Sequence, residues 1–373
     1  MRTIFTILSV LVLSANSLFG WGGNTHKFIN KNAVIHLPAS MQQFIDQQSF
    51  LETHAVDADN RKGSDPTEGP KHFLDIDYYP DYKHLTHNLD SLILLYGTST
   101  VVNGNGILPW ATVWSLDSLT EQLKRGDWTK AYQTAADIGH YVGDAHQPLH
   151  VAENYDGQMT GNKGIHSRYE STMMNKVLST LSIAKDSVYY IADPMNFIFD
   201  YLYVSNALVD SVLAADRIAA PPSGYNGSGT LPANYYTVLW AQTERFTKSE
   251  LQDATIVLAS MWYTAWVNAG LLAMPTNVQH LPSAAPETFT LDQNFPNPFN
   301  PSTTIRFSVP KAQHVRLSIY NLVGQAVAVL GDADYQPGEY RIQWNAERFP
   351  SGIYFYQLES DNVRLTRKLV YLK

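Results

Sequence analysis

Residues 140–150 read His140-Tyr141-Val142-Gly143-Asp144-Ala145-His146-Gln147-Pro148-Leu149-His150, and a second run reads His166-Ser167-Arg168-Tyr169-Glu170. Side chains four apart project from one face of a helix, so His140 with Asp144, and His166 with Glu170, can each hold a metal ion between them. Pro148 cannot sit inside a hydrogen-bonded helix. The chain is therefore expected to turn near Gln147-Pro148, and His150 to reach the metal from a separate segment; unbroken helix would carry it off the face of His140. The chain has no cysteine and 12 histidines. Any zinc must then be held by nitrogen and oxygen.

The pattern around this stretch is mostly helical. Asp127, after Gly126, is placed to cap the helix that carries His140 and Asp144. Ser249-Glu250-Leu251-Gln252 has the form of a capping box, expected to open an apolar helix through Trp262 and Trp266 to Gly270. After Met274 the composition changes. Pro275, Pro282 and Pro286 punctuate a polar stretch, and the periodicity switches from helical to alternating. Ile305, Phe307 and Val309 alternate, as do Val315, Leu317 and Ile319, then Tyr340, Ile342 and Trp344, then Ile353 and Phe355, with Val363 to Leu372 as a last strand. Short strands between Gly and Pro turns predict a small β-sandwich. The fold is expected to be mainly α, with a helical domain over 21–274, a linker over 275–287 and a C-terminal β-sandwich over 288–373.

Length and charge bound the function. At 373 residues two domains can each bury a core. A net charge of -8 argues against stable nucleic-acid binding through a basic surface. Residues 1–20, with Arg2, the apolar run Ile4 to Leu13 and a small and polar end at Gly20, have the pattern of a secretory signal peptide. The run is too short for a spanning helix. Cleavage after Gly20 would make Trp21 the first residue.

The remaining ligands are expected upstream. A free amine and the carbonyl of Trp21 can chelate an ion, and His26 lies close enough to join them. Asp57 and His72 bracket a Gly- and Pro-bearing loop, with Asp59 competing for the role of Asp57. Phe73-Leu74-Asp75 places another carboxylate nearby, and Arg61 is a candidate for phosphate contact. His146 is expected to point elsewhere, and His36, His54, His84, His87, His280 and His314 receive no role.

Trp21, His26, Asp57, His72, His140, Asp144, His150, His166 and Glu170, in that order, resemble the superfamily that joins bacterial zinc-dependent phospholipase C to S1/P1-type nucleases, over about residues 21–270. The spacings from Trp21 to His26 and from Asp57 to His72 look like the nuclease branch; the short gap from His150 to His166 and the Glu at 170 look like the phospholipase branch. The resemblance implies a helical phospholipase C/P1 nuclease-like domain holding three zinc ions. His72, His140 and Asp57 would hold one, Asp144 would bridge it to a second bound by Trp21 and His26, and His150, His166 and Glu170 would hold the third. It also implies that Asp57 orients or deprotonates the attacking water, and that Phe73 and Asp75 contact a nucleobase in the nuclease branch. Asn294-Phe295-Pro296-Asn297-Pro298-Phe299-Asn300-Pro301, with Asn321-Leu322-Val323-Gly324 and Ser351-Gly352-Ile353-Tyr354, resembles the C-terminal sorting domain of the type IX secretion system of the Bacteroidetes. That implies export through this machinery, then removal of the domain or attachment to the cell surface; a carbohydrate-binding or adhesive β-module is the competing expectation.

These readings converge on a secreted, monomeric zinc phosphodiesterase. Phospholipase C-like hydrolysis of a phospholipid is the first expectation, and release of 5'-nucleotides from single-stranded nucleic acid the alternative. A non-catalytic, zinc-stabilised surface binding protein is a third reading.

Overall fold

The computed structural model describes residues 21–221, 225, 227, 229–271, 279–281, 286–347, 349–361 and 363–373. The expected signal peptide, most of the expected linker and part of the loop at 221–229 lie outside these. The described chain is a mainly helical domain followed by a small antiparallel β-sandwich.

The helix Trp128–Ala145 is central. The Asp127 side chain accepts from the Lys130 amide at its N-terminus, and Ala131, Ala135, Ile138, Val142 and Ala145 are buried along it. It stops where Pro148 requires, in a 3-10 turn over Pro148–His150. Gly139 and Gly143 let the helix Gly23–Ala33 approach closely. A Cβ on Gly139 would stand 1.9 Å from Asn30 Oδ1, and one on Gly143 would stand 2.9 Å from His26 Nδ1. Asn30 uses that approach to tie three segments, donating to the carbonyls of Leu51 (3.0 Å) and Ala136 (3.1 Å). The same contact carries His26 against the face of His140.

A helix of 34 residues, Tyr235–Asn268, runs behind, with Trp262 Nε1 donating to the Ala135 carbonyl at 3.0 Å. Ser249–Gln252 therefore lies in a helix interior. The expected start at Ser249 is wrong because helical pattern continues upstream to Asn234, and Glu250 is buried rather than folded back onto a cap.

The sandwich contains β1 (Gln279–Leu281), β2 (Thr290–Leu291), β3 (Ser302–Val309), β4 (Gln313–Tyr320), β5 (Ala326–Tyr335), β6 (Gly338–Asn345), β7 (Gly352–Ser360) and β8 (Val363–Tyr371). One sheet has the order β1-β6-β3-β2 and the other β5-β4-β7-β8. Ile305 pairs with Ile342 and Phe307 with Tyr340, so two alternating apolar faces meet in register. Three details differ from expectation. β1 falls inside the expected linker and extends the first sheet. β5 lacks a clean alternation in sequence and was not foreseen. On β7 the inward residues are Tyr354, Tyr356 and Leu358, and Ile353 faces out.

The Asn- and Pro-rich segment is held across both sheets. The buried Asn294 accepts a place between them through its amide, which donates to Tyr356 Oη (2.8 Å), and its Nδ2, which donates to Thr303 Oγ1 (2.8 Å). Phe299 pairs with Tyr371 and is buried against Trp344.

Candidate metal centre

Three groups of His and carboxylate side chains meet in the helical domain: His26, Asp59 and His140; His72, His140 and Asp144; and His150, His166 and Glu170. All eight residues are buried. Within the last group, Nε2 of His150 and of His166 are 3.0 Å apart, and Glu170 Oε2 lies 3.4 Å and 3.0 Å from them. Within the second, His140 Nε2 and His72 Nδ1 are 3.1 Å apart, and Asp144 Oδ2 lies 3.4 Å and 3.0 Å from them. Ligand atoms about 2.0–2.1 Å from a tetrahedral zinc stand about 3.3 Å from one another. Both triangles have that size.

The outer hydrogen bonds show which nitrogens are offered. His140 Nδ1 donates to the Ala55 carbonyl (2.7 Å), His150 Nδ1 to that of His72 (2.7 Å) and His166 Nδ1 to that of Tyr155 (3.1 Å). Each ring thus spends Nδ1 outside and turns Nε2 into the cluster. Two imidazole lone pairs 3.0 Å apart beside a carboxylate repel one another, and a cation between them reverses the sign. Both ring nitrogens of His26 are buried without a hydrogen-bond partner. Its Nε2 faces Asp144 Oδ1 at 3.4 Å, so the two oxygens of Asp144 address different groups, as a bridging carboxylate does. The donor set fits zinc.

The charges of these side chains are strongly interdependent. Burial drives the His26 imidazole down to about 4, with His140 adding to the shift. Burial works the same way on His140, but the Asp144 and Asp59 carboxylates outweigh it and hold it up at about 9. Burial would raise Asp144, yet His140 and His150 keep it well below the usual carboxylate range.

Asp57 does not take part. The helix Asp57–Arg61 turns by about 200° over two residues, so Asp57 and Asp59 leave on opposite sides. Asp57 Oδ2 instead meets His54 Nδ1 (2.7 Å) and Gln133 Nε2 (3.0 Å), and its side chain is 32% exposed. Asp59 Oδ1 is 3.4 Å from His140 Nε2 and 3.7 Å from His72 Nδ1, making it the fourth member of the His72 group. Asp-x-Asp in sequence does not say which carboxylate faces inward. Arg61 also misses the site, binding Asp137 at 3.0 Å. Trp21 is buried with its ring 5.5 Å from Tyr169, and the amide of Gly22 donates to the Glu170 carbonyl at 3.3 Å. This brings the expected first residue beside the segment that carries His166 and Glu170. His146 points away, with Nε2 3.8 Å from Asp253 Oδ2.

A cavity of about 530 Å³ is walled by Lys62, His72, Phe73, Asp75, Leu149, His150, Tyr155 and His166, among others. Phe73 and Asp75 therefore both line this cavity. Burial, with help from Asp77 and Glu153, pushes the Asp75 carboxyl up to about 8. Lys62, which sequence reasoning passed over, places Nζ 2.6 Å from Asp59 Oδ1 on that wall. Gln147 was also missed. It is fully buried, accepts from the Leu149 amide (2.6 Å) and donates to Glu170 Oε2 (3.2 Å), clamping the Pro148 turn to the third group. The segment bearing His166 and Glu170 is anchored by Arg168, whose Nη2 binds Asp216 Oδ1 (2.9 Å) and whose Nε donates to Tyr235 Oη (2.8 Å).

The C-terminal part has a sequence relative. Residues 293–372 match the family described as the secretion system C-terminal sorting domain. The matched residues cover β3 to β8 and the Asn- and Pro-rich segment, which favours the sorting-domain reading of the sandwich over the adhesive one. No curated protein matches the chain. Solved structures similar to it include the alpha-toxin of Clostridium perfringens from avian strain SWCP, with 10% identity, a TM-score of 0.45, and 95% of this chain and 99% of that one covered. The alpha toxin of Clostridium absonum gives 11%, 0.43, 95% and 98%. Likeness at this level transfers no activity.

Proposed function

We propose that residues 21–274 form a secreted zinc-dependent phosphodiesterase, acting in the manner of a phospholipase C at the cavity over the His and carboxylate cluster. The supporting observation is that the groups are contiguous: His140 belongs to two of them, Asp144 presents different oxygens to His26 and His72, and His150 of the third group stands 3.7 Å from Asp144 Oδ1. A structural zinc is held singly in a closed shell, whereas neighbouring sites opening on a cavity suit reaction at a phosphoryl group.

Three ions are expected. Asp59, His72, His140 and Asp144 would hold the first; Asp144, His26 and the amine and carbonyl of Trp21, freed by cleavage after Gly20, the second; His150, His166 and Glu170 the third. Zinc bound there would stabilise charge at a phosphoryl oxygen and lower the pKa of water to on the order of 7. The chain's own groups do the rest. Asp59 takes the role expected of Asp57, orienting the attacking water and receiving its proton at the carboxylate. Lys62 Nζ, on the cavity wall, neutralises a phosphate oxygen. Phe73, Leu149 and Tyr155 keep bulk water from the reacting bond. Residues 288–373 direct the enzyme to the type IX machinery after residues 1–20 have led it across the inner membrane.

One observation favours the nuclease alternative: Asp75, which holds its proton near neutral pH beside Phe73, suits hydrogen bonding to a nucleobase. Zinc-loaded mature protein should therefore be offered phosphatidylcholine vesicles and single-stranded DNA. Release of a phosphorylated head group supports the proposal; mononucleotide release alone replaces it with the nuclease reading. Hydrolysis of neither substrate, with zinc bound, would leave the surface binding protein.

A further inference from the structure

His72 is turned the opposite way from three of the cluster's other histidines. His140, His150 and His166 spend Nδ1 on backbone carbonyls and turn Nε2 inward, whereas His72 turns Nδ1 inward, 3.0 Å from Asp144 Oδ2. Its Nε2 looks outward, buried and without a hydrogen-bond partner, with Glu68 Oε1 3.5 Å away. Glu68 is 1% exposed and belongs to none of the three ligand groups.

A carboxylate is rarely buried so completely without a set of donors, and Glu68 has one. Tyr141 Oη donates to Oε1 at 2.5 Å, Lys71 Nζ binds Oε2 at 3.0 Å, and the Arg61 guanidinium stands 3.5 Å from both oxygens while it also binds Asp137. Three segments thus fix one carboxylate behind one imidazole. Tyr141 and Asp137 come from the helix that supplies His140 and Asp144. Lys71 and His72 share a 3-10 turn whose Gly69 and Pro70 line the cavity.

We propose that Glu68 is a positioning residue for the metal held by His72. It holds the His72 proton at Nε2, so that the lone pair stays at Nδ1 on the cluster side, and its negative charge makes that nitrogen a stronger donor. A backbone carbonyl does the first of these for the other three histidines. Only Glu68 adds a full charge, and it places that charge behind the group that Asp59 and Asp144 complete. The inference rests on the proposed metal centre and deepens it.

The test is stepwise zinc and cobalt titration of the mature protein, wild type against Glu68→Gln and Tyr141→Phe, with the cobalt absorption spectrum recorded at each equivalent. Outer carboxylates of this kind are typically worth 10- to 100-fold in metal affinity. Glu68→Gln is expected to weaken one equivalent by about that factor and to shift its cobalt bands, leaving the equivalent held by His150, His166 and Glu170 within twofold. Tyr141→Phe, which removes one donor from Oε1, should weaken the same equivalent by a few fold. A purely structural Glu68 would lower the stability of the metal-free protein and weaken all equivalents together or none, and either result overturns the inference. Wild-type protein that takes up no zinc would instead overturn the metal centre itself, so the two failures are distinct.

Discussion

Around His140 the helical domain gathers five histidines and the carboxylates of Asp59, Asp144 and Glu170 into its interior, while the sandwich closes over Phe307, Trp344, Tyr340, Tyr356 and Ile342. The fully buried polar side chains described in the sandwich, Asn294, Thr303, Ser308 and Ser318, are all neutral. Burying apolar area stabilises a fold without help. Burying like donors against one another does so only when something of opposite charge joins them. The helical domain should therefore depend on an occupant and the sorting domain should not. This contrast can be broken experimentally at several points.

The largest effect expected is catalytic and is confined to one side chain of a pair. Asp59→Asn removes a charge facing His140 and His72 and should lower phosphodiester hydrolysis by about a thousandfold or more, as loss of a group acting at the reacting centre does. Asp57→Asn, which changes only a contact with His54 and Gln133, should stay within about twofold. The reverse pattern in initial rates at saturating zinc would restore the assignment to Asp57.

Chelation should separate the domains. A ligand present at a thousand times its dissociation constant stabilises the folded state by about 4 kcal/mol. EDTA is expected to lower the calorimetric transition of the helical domain correspondingly, and to leave that of the sandwich in place. Equal shifts in both transitions would show that the occupant is not confined to the helical domain.

Much of this contrast is legible in the amino-acid sequence, and the omissions have a common cause. His140, Asp144, His150, His166 and Glu170 declare themselves through helical spacing and the Pro148 break, and His26 and His72 follow from the resemblance. Strand alternation marks β3, β4 and β6. What local pattern does not fix is the direction taken when two choices are locally equal. Asp57 or Asp59, the inward face of β7, and Ser249 as a helix start or interior are settled by packing against distant segments. Gln147 was invisible because it acts on Glu170, 23 residues away; Glu68 and Lys62 are close in sequence to His72 and Asp59, but which way their side chains turn is set by packing against distant segments. β5 was missed because Ala326–Tyr335 carries no clean period of two.

A pH dependence should mark the helical domain as well. Glu250 is buried on the long helix, where desolvation, opposed by His146 and reinforced by Asp253, pushes its carboxyl from 4.5 up to about 7. The folded protein therefore binds this proton more tightly than the unfolded chain. The stabilisation is fully present below about pH 4.5 and is lost as pH rises through about 7. The shift corresponds to roughly 3 kcal/mol at most, at 1.36 kcal/mol per unit. Urea denaturation of zinc-loaded protein across that window should show a falling contribution that disappears in Glu250→Gln. An unchanged slope in the variant would assign the pH dependence to other groups.

The smallest effect tests the close approach that builds the centre. A methyl group on Gly139 would meet Asn30, and Asn30 cannot swing aside without giving up its bonds to Leu51 and Ala136. Overpacking of this kind costs about 1–3 kcal/mol, against which alanine returns about 1 kcal/mol of helix propensity. Gly139→Ala should thus destabilise the helical domain by up to about 2 kcal/mol and, by pushing the helix of His26 outward, weaken one zinc equivalent more than the others. Gly352 on β7 is the matched control, since a Cβ there meets nothing within 4 Å. Gly352→Ala should leave sandwich stability within about 0.5 kcal/mol and zinc binding unchanged. If Gly139→Ala proved equally silent in both measurements, the packing of the Gly23–Ala33 helix on Gly139 would not be what holds His26 in the cluster.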